Sequence, residues 1–127
     1  MHAFILQDWI TIRGASTVPT VTQGEDSWLD LTAYQDLVFW VDVREVTGTT
    51  VTIAFQTSPT KDETLFTAMV AATTITASSS PVVVKATLAG ASTNVPVARY
   101  VRWQLVGPSA LWDASFRVMV AANSPGM

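Results

Sequence analysis

Between Leu37 and Arg44 the chain alternates: Leu37, Phe39, Val41 and Val43 share one side of an extended backbone, and Trp40, Asp42 and Arg44 share the other. A period of two belongs to a strand with one face on a core and one turned away. A helix, at 3.6 residues per turn, would scatter the same side chains around its axis. Val51, Ile53 and Phe55 repeat the pattern against Thr50, Thr52 and Gln56. Gly48 and Thr49 lie between the two runs, so Leu37–Val46 and Thr50–Thr57 are predicted to pair as a hairpin.

Further β-branched and aromatic runs occupy Phe4–Ile12, Trp28–Leu31, Leu65–Ile75, Val82–Leu88, Arg99–Val106 and Trp112–Ala121. Within the third, Leu65 to Ala72 carries Ala and Met and permits a helical turn. Ser78-Ser79-Ser80-Pro81 and Ala91-Ser92-Thr93-Asn94 read as exposed loops. About eight short strands separated by Gly, Pro, Ser and Asn predict an all-β fold, an antiparallel jelly-roll β-sandwich. The chain of 127 residues fits a single domain over positions 1–127. The apolar start, Met1 to Trp9, is expected as an N-terminal arm or an edge strand.

Composition bears on context more than on chemistry. Only 13% of the residues are charged while 49% are hydrophobic, against about 25% charged in ordinary soluble domains. So few charges on a folded surface suggest a piece of an assembly. Without cysteine there is no disulfide, no thiolate metal site and no Cys nucleophile, which suits synthesis in a reducing cytoplasm. A net charge of −3, with seven Lys and Arg scattered from Arg13 to Arg117, argues against nucleic acid. The apolar runs fall short of a membrane span, and the start lacks the basic segment of a secretory signal.

The chain's one histidine, His2, sits near the start, which leaves a Ser-His-Asp relay or a His-ligated metal without a centre. Glu25, Asp26 and Asp30, or Asp62 and Glu63, are the acids available for paired-carboxylate chemistry or calcium. They lie in turn-rich stretches where solvated acids are ordinary, and no spaced acidic loop with its glycine appears. No enzyme activity, metal or cofactor is therefore predicted.

Among the five tryptophans, Trp103 is in phase with Val101 and Leu105, and Trp112 with Phe116 and Val118, so both are expected in the core. Trp40 stands opposite the apolar row beside Asp42 and Arg44, the placement of an interface anchor. The interface candidates are Phe4, Ile5, Leu6, Trp9, Trp40 and Arg44. Arg99, Arg102 and Arg117 are expected to hold carboxylates in ion pairs.

Two segments bring a resemblance. Val51-Thr52-Ile53-Ala54-Phe55-Gln56-Thr57-Ser58-Pro59, followed by Asn94-Val95-Pro96-Val97-Ala98-Arg99-Tyr100-Val101-Arg102-Trp103 and a closing strand over Ala114–Val120, resembles discoidin-type, galactose-binding-like jelly rolls. That resemblance implies a jelly-roll fold, with carbohydrate binding as an alternative function. The whole chain, short, cysteine-free and rich in Thr, Ala and Val, is similar in style to tailed-phage head decoration (cement) proteins. This second resemblance implies a virion structural protein on the capsid surface, bound to the major capsid protein and to its own copies in a homo-oligomer. A phage tail or baseplate protein is the variant.

Overall fold

The computed structural model describes residues 2–15, 20–34, 36–47, 51–76, 82–86, 97–107 and 111–123. Ten strands are built from them: β1 (His2–Gly14), β2 (Thr20–Thr22), β3 (Leu29–Asp30), β4 (Asp36–Thr47), β5 (Val51–Ser58), β6 (Thr67–Ala68), β7 (Thr73–Ile75), β8 (Val82–Ala86), β9 (Tyr100–Val106) and β10 (Trp112–Asn123). Single 3-10 turns at Glu25–Ser27 and Glu63–Leu65 are the helical elements among the described residues. The predicted loops at Ser78–Pro81 and Ala91–Asn94, and the Gly48-Thr49 connection, lie outside the described residues, as do the last two residues of the predicted Val82–Leu88 strand.

The strands form two antiparallel sheets. In the first the order is β1-β10-β4-β8; in the second β9 and β5 are central, with β2 and β3 on the free side of β9 and β6 and β7 on the free side of β5. Counting each short pair as one position gives eight positions in two sheets of four. The chain changes sheet between β1 and β2, β3 and β4, β4 and β5, β7 and β8, β8 and β9, and β9 and β10, which is the jelly-roll winding. The all-β antiparallel sandwich is thus the fold.

The predicted hairpin is not formed. β4 pairs with β10 and β8, β5 pairs with β9, β6 and β7, and the two lie in opposite sheets. The physical reason is in their side chains. Each strand has a continuous apolar row, and two such rows bury each other better across a sandwich than side by side in one sheet. Phe39 of β4 and Phe55 of β5 stack ring on ring, centroids 3.8 Å apart, through the middle of the core. Trp103 of β9 meets Phe116 of β10 edge to face at 5.2 Å, another contact between the sheets.

The rows read from the alternation are the rows that are buried. Leu37, Phe39, Val41 and Val43 join Val51, Ile53, Phe55, Val101, Trp103, Leu105, Phe116 and Val118 in one core, with Trp112 at its end. Removing such side chains from water stabilises the fold by about 1.5–3 kcal/mol apiece. The predicted run Leu65–Ile75 is broken instead into the second 3-10 turn, β6 and β7, with Met69 buried between them.

β1 is an edge strand of the first sheet, paired along its length with β10. Two register shifts interrupt that ladder, between Ile5 and Gln7 and between Gln7 and Ile10. At the first, Gln23 closes the gap: its buried side chain donates to the Leu6 carbonyl at 2.7 Å and accepts from the Trp103 N–H at 3.3 Å. Gln7 accepts from the Trp103 indole at 3.2 Å. The start of the chain is therefore tied to both sheets.

Candidate functional site: the outer face of the first sheet

Register across the first sheet places four residues from distant parts of the chain in one row. Ile5 of β1 pairs with Met119 of β10, Met119 with Trp40 of β4, and Trp40 with Val83 of β8. Paired residues of an antiparallel sheet project to the same side. Their immediate neighbours Phe4, Val120, Phe39 and Val84 point to the core, so this row points outward. Ile5 is 60% exposed and Val83 46%, while Trp40 and Met119 are half-buried between them. In the next row Ala3, Ala121 and Val38 extend the apolar strip on one side, and exposed Lys85 ends it on β8.

On the other side stands a cationic and aromatic cluster set up by two bulges. β1 has an extra residue between Gln7 and Ile10, and β4 has one between Val43 and Glu45, which leaves Arg44 unmatched. The two irregularities flank Phe116 of β10 from either side. Bulges bend a strand and re-aim a side chain; here Trp9 and Arg44 both come out onto the outer face. The Trp9 N–H donates to its neighbour's Asp8 carboxylate at 2.8 Å, which holds the β1 bulge.

Arg44 and Arg117 both lie over the Trp9 ring, their guanidinium carbons 4.9 and 5.0 Å from its centroid. Such contacts contribute about 0.5–1 kcal/mol each at an exposed site. Arg117 also donates through Nε to Asp42 Oδ2 at 2.7 Å, a strand-to-strand pair between β10 and β4. No carboxylate lies within ion-pair distance of Arg44 among the described residues. Trp9, Ile10, Thr11, Arg44 and Ser115 line a shallow hollow of about 150 Å³, where the Thr11 and Ser115 hydroxyls pair at 2.7 Å.

Four of the six interface candidates, Ile5, Trp9, Trp40 and Arg44, lie on this face. Phe4 points to the core side, where it meets Tyr34 edge to face at 5.4 Å. Leu6 is not on the face either: it is 2% exposed and part of the core, on the inward side of β1 with Phe4 two residues before it. Met119, Val83 and Arg117 complete the face. In β10 the phase opposite Phe116 and Val118 marks Met119 and Arg117 as outward, but only strand pairing brings Val83 beside Trp40.

Several of the other charged residues have structural partners. Asp30 accepts from the Thr32 hydroxyl and N–H and from Arg99 at 3.2 Å, and these hydrogen bonds, the Thr32 hydroxyl foremost, hold its pKa below the ordinary aspartate value. Asp62 caps the second 3-10 turn by accepting from Thr64, which lowers its pKa likewise. Arg102, expected to hold a carboxylate in an ion pair, meets Glu63 and is itself buried on the outer side of the second sheet. Phe66 lies 3.9 Å and Trp28 5.2 Å from its guanidinium carbon, and the two rings meet each other above it. Its Nε donates to Gln56 at 2.8 Å and its Nη1 stands 3.6 Å from Glu63, while burial pulls its pKa down. Among the described residues no group of His, Asp and Glu is placed to hold a metal ion, and no helix is long and apolar enough to cross a membrane.

No protein-family profile matches the chain, and no curated protein sequence matches it. Two solved structures are similar over most of its length. One is a chain of the Bacillus endospore appendages, which form a family of disulfide-linked pili: 16% identity, TM-score 0.46, covering 94% of this chain and 88% of that one. The other is from infectious bursal disease virus, Gx strain: 14% identity, TM-score 0.45, covering 98% of this chain. This chain spans about a third of the length of the viral one, 33%.

Proposed function

We propose that this protein is a non-enzymatic structural subunit of a virion, a decoration protein carried on a capsid shell, and that the outer face of its first sheet is a protein contact. The observation that carries the reading is the row Ile5, Met119, Trp40 and Val83, an apolar strip running across all four strands of a sheet that has no covering layer among the described residues. Apolar rows left open on a sandwich mark an interaction site. The row has the make-up of an interface centre, with Trp and Met in the middle, and Arg beside an aromatic ring at the margin. The low charge of the whole chain agrees with a surface that is partly covered in use.

In this role the mechanism is mechanical. A subunit that binds the assembled shell and not its dissociated parts stabilises the shell by mass action. The partners are the major capsid protein and further copies of this chain. A carbohydrate-binding module of the same fold would stack a sugar on an open aromatic ring, and Trp9 is the exposed one. Because Arg44 and Arg117 already lie against that ring, the arrangement favours protein.

Co-sedimentation with purified capsid shells, run beside retention on immobilised polysaccharide, tests the reading. Wild-type protein is expected to pellet with shells, and Trp40→Asp to lose at least about tenfold in affinity, as for an anchor residue at an interface centre. Retention by polysaccharide with no binding to shells would overturn it.

A further inference from the structure

We infer that the outer face of the first sheet is covered by the same face of a second copy of this chain, forming an isologous dimer. The inference rests on the reading of this face as a protein contact and adds its occupant and symmetry.

The strand order makes the face complementary to itself. A two-fold axis parallel to the strands and midway between β10 and β4 exchanges inner strand with inner and outer with outer. Level by level it sets Ile5 against Val83 of the second copy and Met119 against its Trp40; on the next level Ala121 meets its Val38. On the level beyond the apolar row it sets Arg117 against Asp42 of the second copy, and by symmetry Asp42 against Arg117, so that two internal ion pairs become a ring of four alternating charges. In an isologous contact residue i meets j and j meets i, and here the exchanges on the two central strands join apolar to apolar or base to acid, while Lys85 meets Ala3 at the rim, where its ammonium reaches water.

Charge decides between this axis and the other that keeps the strands aligned. An axis along the row would place Arg117 on Ala121 and Asp42 on Val38 of the second copy, covering each charge with an apolar group, at a desolvation cost that pairing does not return. The strand-parallel axis avoids that cost on the two central strands. It also leaves the two sheets within the roughly 30° at which sandwich sheets pack face to face. Four strands are about 19 Å wide, and the stretch from Asp36 to Arg44 is about 27 Å long. Side-chain relief brings that area toward the ~800 Å² per partner of a stable interface.

The absence of cysteine makes the test direct. Facing sheets pack about 10 Å apart, beyond the ~7 Å that a disulfide spans between Cα atoms, so a short bis-maleimide is the probe. The single variants Ile5→Cys and Val83→Cys carry one thiol each and cannot be linked within a chain. Mixed in equal amounts they are expected to give a cross-linked dimer, whereas Ile5→Cys alone, with its two thiols at opposite edges of the interface, is expected to stay monomeric on a denaturing gel. Wild-type protein is expected to sediment as a dimer. Ile5→Lys and Val83→Glu, both at exposed positions and checked for fold by circular dichroism, are each expected to weaken dimerisation at least about tenfold. An equimolar mixture of the two should restore the dimer, because the new lysine faces the new glutamate and the untouched Ile5 faces the untouched Val83.

A monomeric wild type, or a mixture that does not recover, overturns the dimer. If that monomer still binds capsid shells through Trp40, the structural-subunit reading stands and the face meets the capsid protein instead. A dimer that ignores shells supports the inference and removes the capsid reading.

Discussion

Trp112 shows how closely single residues are matched in this sandwich. Its indole is buried over Gly14, its partner on β1, and beside Gly107, and a methyl group at either glycine would overlap the ring itself. The ring is rigid and held from both sides, so Gly14→Ala and Gly107→Ala are each expected to destabilise the fold by about 1–3 kcal/mol, the usual cost of overpacking. Chemical denaturation measures this. Arg102 gives a second prediction at this scale. Its Nη1 is buried without a hydrogen bond, and its stem and guanidinium fill space under Phe66 and Trp28. A buried cation with one donor unsatisfied contributes mainly by packing. Arg102→Met, which keeps the volume, is expected to fall within about 1.5 kcal/mol of wild type, and Arg102→Ala to lose about 2–4 kcal/mol through the cavity it leaves. Equal losses in the two variants would show that the charge itself holds the Phe66 and Trp28 rings in place.

Among the elements, β1 joins the candidate interface to the core. Its alternation makes neighbours do opposite things: Ile5 faces out at 60% exposure and Leu6 faces in at 2%. Leu6→Ala is expected to cost about 2–5 kcal/mol, whereas Ile5→Ala should change stability by less than about 0.5 kcal/mol and act on association instead. Thermal denaturation of the two variants side by side checks the pair. The same geometry governs truncation. Removing residues 1–7 takes away Leu6 together with the Gln7 acceptor of Trp103, so the shortened chain is expected to melt well below wild type. As a free arm this segment would be dispensable to the fold; as the edge strand it is not.

For the molecule as a whole, acid sensitivity follows from Asp30 and Asp62. Both have pKa values held below the ordinary aspartate value by hydrogen bonds, Thr32 and Thr64 being the principal donors. A carboxylate with a depressed folded pKa adds stability that is complete above the unfolded value and disappears as pH falls through the folded one. Unfolding midpoints are thus expected to be insensitive to these groups near neutrality and to drop in the acid range below ordinary aspartate titration. The Asp30→Asn, Asp62→Asn double variant should show a shallower acid slope. Both groups are exposed, so the effect is small, and salt reduces the Arg99 part of it.

The alternation from Leu37 to Val43 and from Val51 to Phe55 was legible because the direction of a side chain along an extended backbone is a local property of the chain. It yielded the all-β class, the buried rows, and the places of Trp103 and Trp112 without any knowledge of pairing. What it did not contain was which strand lies beside which. Runs close in sequence look like a hairpin, yet β4 and β5 stack across the core, since burying two apolar rows against each other is a long-range choice. Trp40 and Arg44 are legible as outward residues for the same local reason, whereas the run Phe4-Ile5-Leu6 is apolar on both faces, and only the packing of β1 against the core makes Leu6 an inward residue. The gathering of these residues into one face belongs to the tertiary structure. Residues 5, 40, 83 and 119 form a row only through the register of four strands, and register is set by how the two sheets fit over their shared core, a condition on the whole chain that no single segment carries.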